Sequence, residues 1–176
     1  MGFDLKNLNK TAPEQIIKAM VYTDMHILWG ILDVVENQFP DRLLTGAFIP
    51  DNVCLKEAKY INAKSMGNEK PLNAKKILIP TEKILGFHLR DDDEENPAHE
   101  ENRVKKQFVI LLGVFKVTAS IWIGPKIDIH KHLELSKSQF MEVFDVSISN
   151  PGFKELKPIQ ANKMSIRKDG VIYLIN

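Results

Sequence analysis

The sequence contains one cysteine, Cys54, in 176 residues. A lone cysteine excludes an intrachain disulfide and with it the usual staple of small secreted domains. Long apolar runs are missing as well. The longest, residues 108–115, is strand-sized and far short of the roughly 18–20 residues of a membrane-spanning helix. The N-terminus has no apolar run behind a basic start, so it does not read as a secretory signal. Lys6 stands where a myristoylation signal carries Ser or Thr. These absences lead to the expectation of a cytoplasmic protein with no membrane partner. Strong net charge is also lacking: 24 basic against 23 acidic residues leave +1, below what a dedicated nucleic-acid binder carries. Phosphate-cradling glycine loops are absent, since Asn150-Pro151-Gly152 and Ser65-Met66-Gly67-Asn68 are turn chemistry. No cofactor is expected.

What is present is an ordinary globular balance, 44% hydrophobic and 27% charged, with the charge unevenly placed. Residues 91–102 read DDDEENPAHEEN, seven acids with no base and no large apolar side chain. Like-charge repulsion and Pro97 predict a solvated linker there. It divides the chain into a first unit, residues 11–90, and a second, residues 103–176. Residues 1–90 hold 12 basic and 10 acidic residues, whereas 103–176 hold 12 and 6, so the second unit is mildly basic.

The two parts show the same order of elements. β-rich runs at 16–23 and 25–35 answer to 107–113 and 115–123; a third strand at 53–60 answers to 141–148. A polar stretch follows, and each part closes with a tight pair of short strands. Residues 77–87 align without gaps on 164–174, an offset of 87, which becomes 88 at Ala58/Val146 and 90 at Ile27/Val117. Such a drift, changing only in loops, is the mark of an internal duplication of a five-stranded unit. The expected class is all-β with one or two short helices, one of them over 12–19, where Thr11 and Glu14 fit a capping box.

Ile166-Arg167-Lys168-Asp169-Gly170-Val171 resembles the closing Ile-Arg-Gly-x-x-Val segment of Sm-like proteins, and Val143-Phe144-Asp145-Val146 is similar to their third strand. The first unit repeats the shape in Ile79-Pro80-Thr81-Glu82-Lys83-Ile84. The resemblance implies small SH3-like or Sm-like barrels, in which closure limits exposed edges. It also takes in bacterial β proteins built of the same units, for which no activity is implied. The chain departs from the Sm pattern at the RNA-binding positions. No glycine follows Arg167, Pro80-Thr81 occupies the corresponding turn of the first unit, and neither unit has the Asp-x-x-x-Asn loop.

Candidate sites are few. On an extended segment Asp128, His130, His132 and Glu134 share one face and form a candidate metal set, although alternation with Ile127, Ile129, Leu133 and Leu135 predicts the same pattern without metal. Lys154, Lys157, Lys163, Arg167 and Lys168, with Phe153 and Tyr173, are candidates for binding single-stranded RNA through phosphates and stacked bases. Cys54 lies in an apolar stretch and reads as packing. His26 and His88 fall in strands, His99 in the acidic linker, and Trp29 and Trp122 read as core. No set of residues defines a catalytic site. The leading expectation is therefore a non-enzymatic interaction or assembly protein, acting on a protein partner or on itself. RNA binding is the alternative, and a metal-dependent enzyme the third class.

Overall fold

The structure, a computed structural model, describes residues 16–34, 40–46, 48–67, 69–90 and 102–174. Ten strands carry the described chain: β1 (Lys18–Tyr22), β2 (His26–Leu32), β3 (Asn52–Asn62), β4 (Leu72–Pro80), β5 (Gly86–Leu89), β6 (Val104–Leu112), β7 (Phe115–Ile123), β8 (Phe140–Ser149), β9 (Ile159–Arg167) and β10 (Ile172–Leu174). One helix, α1 (Ile129–Leu135), lies between β7 and β8, and single 3-10 turns stand at Pro40–Arg42 and Thr81–Lys83. The protein is thus all-β. The residues proposed as a linker, up to 101, and the capping box of Thr11 and Glu14 lie outside the described residues. The rest of the helix expected over 12–19 is corrected, because Lys18 and Ala19 already pair as strand with Ile31 and Gly30.

Alternation makes these strands. In β7, Phe115, Val117, Ala119, Ile121 and Ile123 are all buried on one face. Burial of each larger side chain contributes roughly 1.5–3 kcal/mol. All strands join one antiparallel sheet in the order β10-β6-β7-β8-β9-β5-β1-β2-β3-β4. Strands from residues 18–89 fill one contiguous half of that order and strands from 104–174 the other. Each half has the same internal sequence, its fifth strand lying outside its first, then second, third and fourth.

Irregularities fall in matching places. The β2–β3 register shifts between Trp29 and Ile31, and the β7–β8 register between Thr118 and Ser120. Glu57 in β3 and Asp145 in β8 adopt φ of 46° and 50°, and among the described residues they are the non-glycine positions in the left-handed region. Both fall within those shifts: three steps on β3, Lys56 to Lys59, face two on β2, Ile31 to Trp29, and three on β8, Phe144 to Ser147, face two on β7, Ser120 to Thr118. An extra residue in this conformation bends a strand sharply.

The expected closing hairpins do not form. β4 pairs with β3, while β5 pairs with β1 and β9; β9 pairs with β8 and β5, while β10 pairs with β6. Burial explains the crossing of β5. Gly86, Phe87 and His88 are all buried, and a strand covered on successive residues belongs inside a sheet. The Thr81–Lys83 turn redirects the chain, with the buried Thr81 hydroxyl donating to the Pro50 carbonyl.

Two apolar clusters fill the interior, and each borrows across the seam. Tyr22, Ile27, Ile61, Ala63 and Leu85 join the cluster of the second half, and Phe140 joins that of the first. Matching loops also meet. Gly113, at φ 59° in the β6–β7 turn, lies against the backbone of Asp24 in the β1–β2 turn, so a side chain there would be strained as well as crowded. In the loop after β8, Asn150 donates to the Ala63 carbonyl at 2.8 Å and Phe153 packs on Gly67 of the loop after β3.

Candidate functional site

The metal set is rearranged by its secondary structure. Asp128 is the N-cap of α1, its carboxylate accepting the Lys131 amide at 2.7 Å, so the segment is helical where alternation predicts a strand. Helical geometry turns His130 and His132 about 200° apart. His130 faces Glu134 at 3.7 Å on the exposed side, whereas burial, followed by the charges of Arg103 and Lys168, holds the His132 imidazole below the usual value. Asp128, spent on the helix terminus, does not join them. Among the described residues no group of three or more His, Cys, Asp or Glu side chains is placed to hold a metal ion.

The basic set is dispersed too. Phe153 and Lys157 precede β9 and Arg167 ends it, so the strand's nine residues put roughly 26 Å between them at about 3.3 Å per residue. Arg167 is committed inward. Its Nε donates to the Ile84 carbonyl at 2.8 Å, its Nη2 donates to the Thr81 carbonyl, and its guanidinium lies 4.9 Å from the Phe140 ring centroid. Lys168 donates to the Ser136 carbonyl and Lys163 pairs with Glu142 at 3.3 Å. Lys154 and Lys157 are exposed, and Tyr173 stacks near Phe108.

Cys54 lies on β3 with its thiol 3.6 Å from Asp33, whose carboxylate also meets Lys56 at 2.7 Å and Lys76 at 3.3 Å. The hydrogen bond from Lys56 comes first among the causes holding Asp33 below the usual carboxylate range. Burial comes first among those pushing the Cys54 thiol up, which keeps it protonated and weakly nucleophilic. His26 sits edge-on to Tyr60, and His99 lies outside the described residues. Trp29 packs on the core, and Trp122 is half-buried beneath Lys105.

The buried polar pair is Tyr22 with His88, 66 residues apart in sequence. His88 Nδ1 faces the Leu89 carbonyl at 3.0 Å, and a carbonyl only accepts, so Nδ1 carries the proton. Nε2 then accepts the Tyr22 hydroxyl at 3.1 Å. Burial lowers the imidazole's affinity for a second proton and raises that of the phenolate, which keeps both partners neutral. The pair lies inside the sheet, where the Tyr22 hydroxyl and the His88 ring satisfy one another's hydrogen bonds between β1 and β5.

Exposed large apolar side chains occur in connections, Phe48 above all, and also at the ends of the sheet. β4 and β10 are the outermost strands of the ladder. Leu72 and Leu78 on β4, and Ile172 and Leu174 on β10, are four of the large apolar side chains left open to solvent. Leu78, Ile172 and Leu174 stand in unbroken apolar runs, residues 77–79 and 171–175, the pattern of a strand covered on both faces, whereas Leu72 stands alone between Pro71 and Asn73. No helix among the described residues is long and apolar enough to cross a membrane. Compared with protein-family models, with curated proteins and with solved structures, the chain matches none.

Proposed function

We propose that this protein is a non-enzymatic assembly module, an internal duplication of an Sm-like or SH3-like β unit whose working surfaces are its two free sheet edges. The observation that carries this reading is the repeated strand order, which pairs one edge of each unit within the chain and, among the described residues, leaves the other edge of each unit without a neighbouring strand. The matched left-handed residues Glu57 and Asp145 support descent from one unit. An open strand offers a row of backbone donors and acceptors, and apolar side chains on it add affinity, as in strand-addition recognition. A reducing compartment such as the cytoplasm suits the lone thiol.

Photocrosslinking tests the reading. A benzophenone amino acid replaces Leu78, Leu174 or, as a control away from both edges, the exposed Leu135 of α1. In the cells that make the protein, crosslinks to protein from positions 78 and 174 in excess of 135 support the proposal. Crosslinks chiefly to RNA favour the alternative reading, and edge crosslinks no stronger than the control overturn edge docking.

A further inference from the structure

We propose that Asp169-Gly170, in the turn between β9 and β10, is a site of spontaneous isoaspartate formation, and that the conversion loosens β10 from β6. Edge docking is not needed for this, since the chemistry is that of the turn alone.

The reaction uses only the chain and water. The Gly170 amide nitrogen attacks the carboxyl carbon of Asp169, a C–N bond closes a five-membered succinimide, and one water leaves. Water then re-enters at either ring carbonyl. Opening at the former side-chain carbonyl restores aspartate. Opening at the former main-chain carbonyl breaks the original peptide bond and leaves the main chain running through the old side chain. The mass is unchanged, and no oxidant, cofactor or second substrate is consumed.

The turn meets the needs of that reaction. The pair Asp-Gly occurs once in the chain, and Asn-Gly not at all. Glycine puts no Cβ in the way of the attacking nitrogen. Both residues are exposed, and a Cβ on Gly170 would meet only the Leu85 side chain, at 3.9 Å, so there is room for a ring. Gly170 holds φ of 78°, a conformation in which other residues are strained. Among the described residues its amide donates to no protein acceptor, and the Asp169 carboxylate makes no hydrogen bond or ion pair. Other aspartates are engaged and precede β-branched residues. Asp33 holds two lysines before Val34, Asp128 caps α1 before Ile129, and Asp145 pairs with Lys105 before Val146.

The consequence falls on β10. Conversion adds one carbon to the main chain, about 1.5 Å of bond length. Upstream of the insertion the chain is fixed. Lys168 donates its amide to the Gln139 carbonyl at 2.8 Å and its Nζ to the Ser136 carbonyl. Downstream, β10 is three residues long and pairs with β6 alone. The Tyr173 hydroxyl reaches back across the turn to the Lys168 carbonyl at 3.3 Å, a bond that spans the insertion directly. A short edge strand belongs to the least stable part of a fold, so the displacement is taken up there.

The test holds the full-length protein for weeks at physiological temperature and neutral pH, in buffer and in concentrated urea. Peptide mapping with electron-transfer fragmentation locates isoaspartate, and labelling by a protein isoaspartyl methyltransferase counts it. Isoaspartate should form at 169 in the folded protein about as fast as in urea, several-fold more than at any other aspartate. Asp169→Glu, whose ring would need a sixth member, should unfold at the same Tm and lose the signal at 169. In the aged protein, amides of residues 172–174 should exchange hydrogen several-fold faster than in fresh protein, and those of β7 should not change. Conversion at 169 only in urea, or chiefly at another aspartate in the folded chain, overturns the site. Conversion at 169 with unchanged exchange in β10 overturns the loosening.

Discussion

Replacing Arg167 by alanine tests whether this residue clamps the seam or serves a ligand. The side chain ties the end of β9 to the connection between β4 and β5, from the other half of the sheet. Its donors reach the carbonyls of Ile84 and Thr81, and both residues are buried. After truncation the Thr81 carbonyl keeps the Ile84 amide at 3.1 Å, but the Ile84 carbonyl loses its charged donor. A charge-assisted bond contributes about 1.5–3 kcal/mol, and the guanidinium over Phe140 about 0.5–1 kcal/mol. The expected loss is about 2–4 kcal/mol, or roughly 5–15 °C in Tm for a chain of this size. Urea unfolding followed by circular dichroism measures it. Arg167→Lys keeps one charged donor but not the planar stack, and should recover about half of the loss. A loss under about 0.5 kcal/mol, the scale of an exposed surface substitution, would refute the clamp. An Arg167 held for phosphate would give that small loss together with weakened, salt-sensitive RNA binding.

Two further outcomes follow from the backbone and from the buried polar pair. Glu57→Gly should stabilise the fold by about 0.5–1 kcal/mol, because φ of 46° is costly for a side chain bearing a Cβ. Asp145→Gly should gain less, since aspartate tolerates that region better and its ion pair with Lys105 is lost; equal urea midpoints for wild type and Glu57→Gly would count against strain at this bend. His88 gives a pH dependence whose sign is fixed. Burial holds its folded pKa below the ordinary 6.5, so the unfolded chain binds the proton more readily. Stability is therefore full above about 6.5 and falls as pH drops through that value toward the lower folded pKa. Urea midpoints from about pH 8 to about pH 5 should decline, and His88→Gln should flatten that part of the decline; the same slope in both proteins would refute the assignment.

The strands were legible because period-two alternation is local. β7 runs from Phe115 to Ile123 as the apolar pattern specifies, and β3 and β8 extend the expected strands by a residue or two at each end. The segment 127–134 misled for a physical reason. Ile127 and Ile129 alternate like a strand, yet Ile129 and Leu133 also stand four apart, and the Asp128 cap decides for helix. Partners distant in sequence were invisible. Arg167 reads as a surface cation until Ile84, 83 residues earlier, is brought beneath it, and His88 reads as an ordinary strand residue until Tyr22 arrives from 66 residues away. Glu57 gave no warning, because nothing in a glutamate announces a left-handed residue, and Asp145, though of a type that visits that region more readily, stands inside an alternating strand pattern.

The most informative disagreement lies between local pattern and position in the sheet. Three consecutive apolar residues at 77–79 and five at 171–175 specify strands covered on both faces, the condition that β5 meets in the middle of the sheet. The chain instead puts them on its two outermost strands. Edge strands of a chain built to stay alone are blunted, with charges outward or with proline. β4 carries such devices only in part: Pro80 at its end and Lys75 and Lys76 in its middle, with Leu78 exposed between them. β10 carries none, since Ile172, Tyr173 and Leu174 are uncharged. A sequence that blunts one edge partially and the other not at all is consistent with its fold when a further strand arrives on each side.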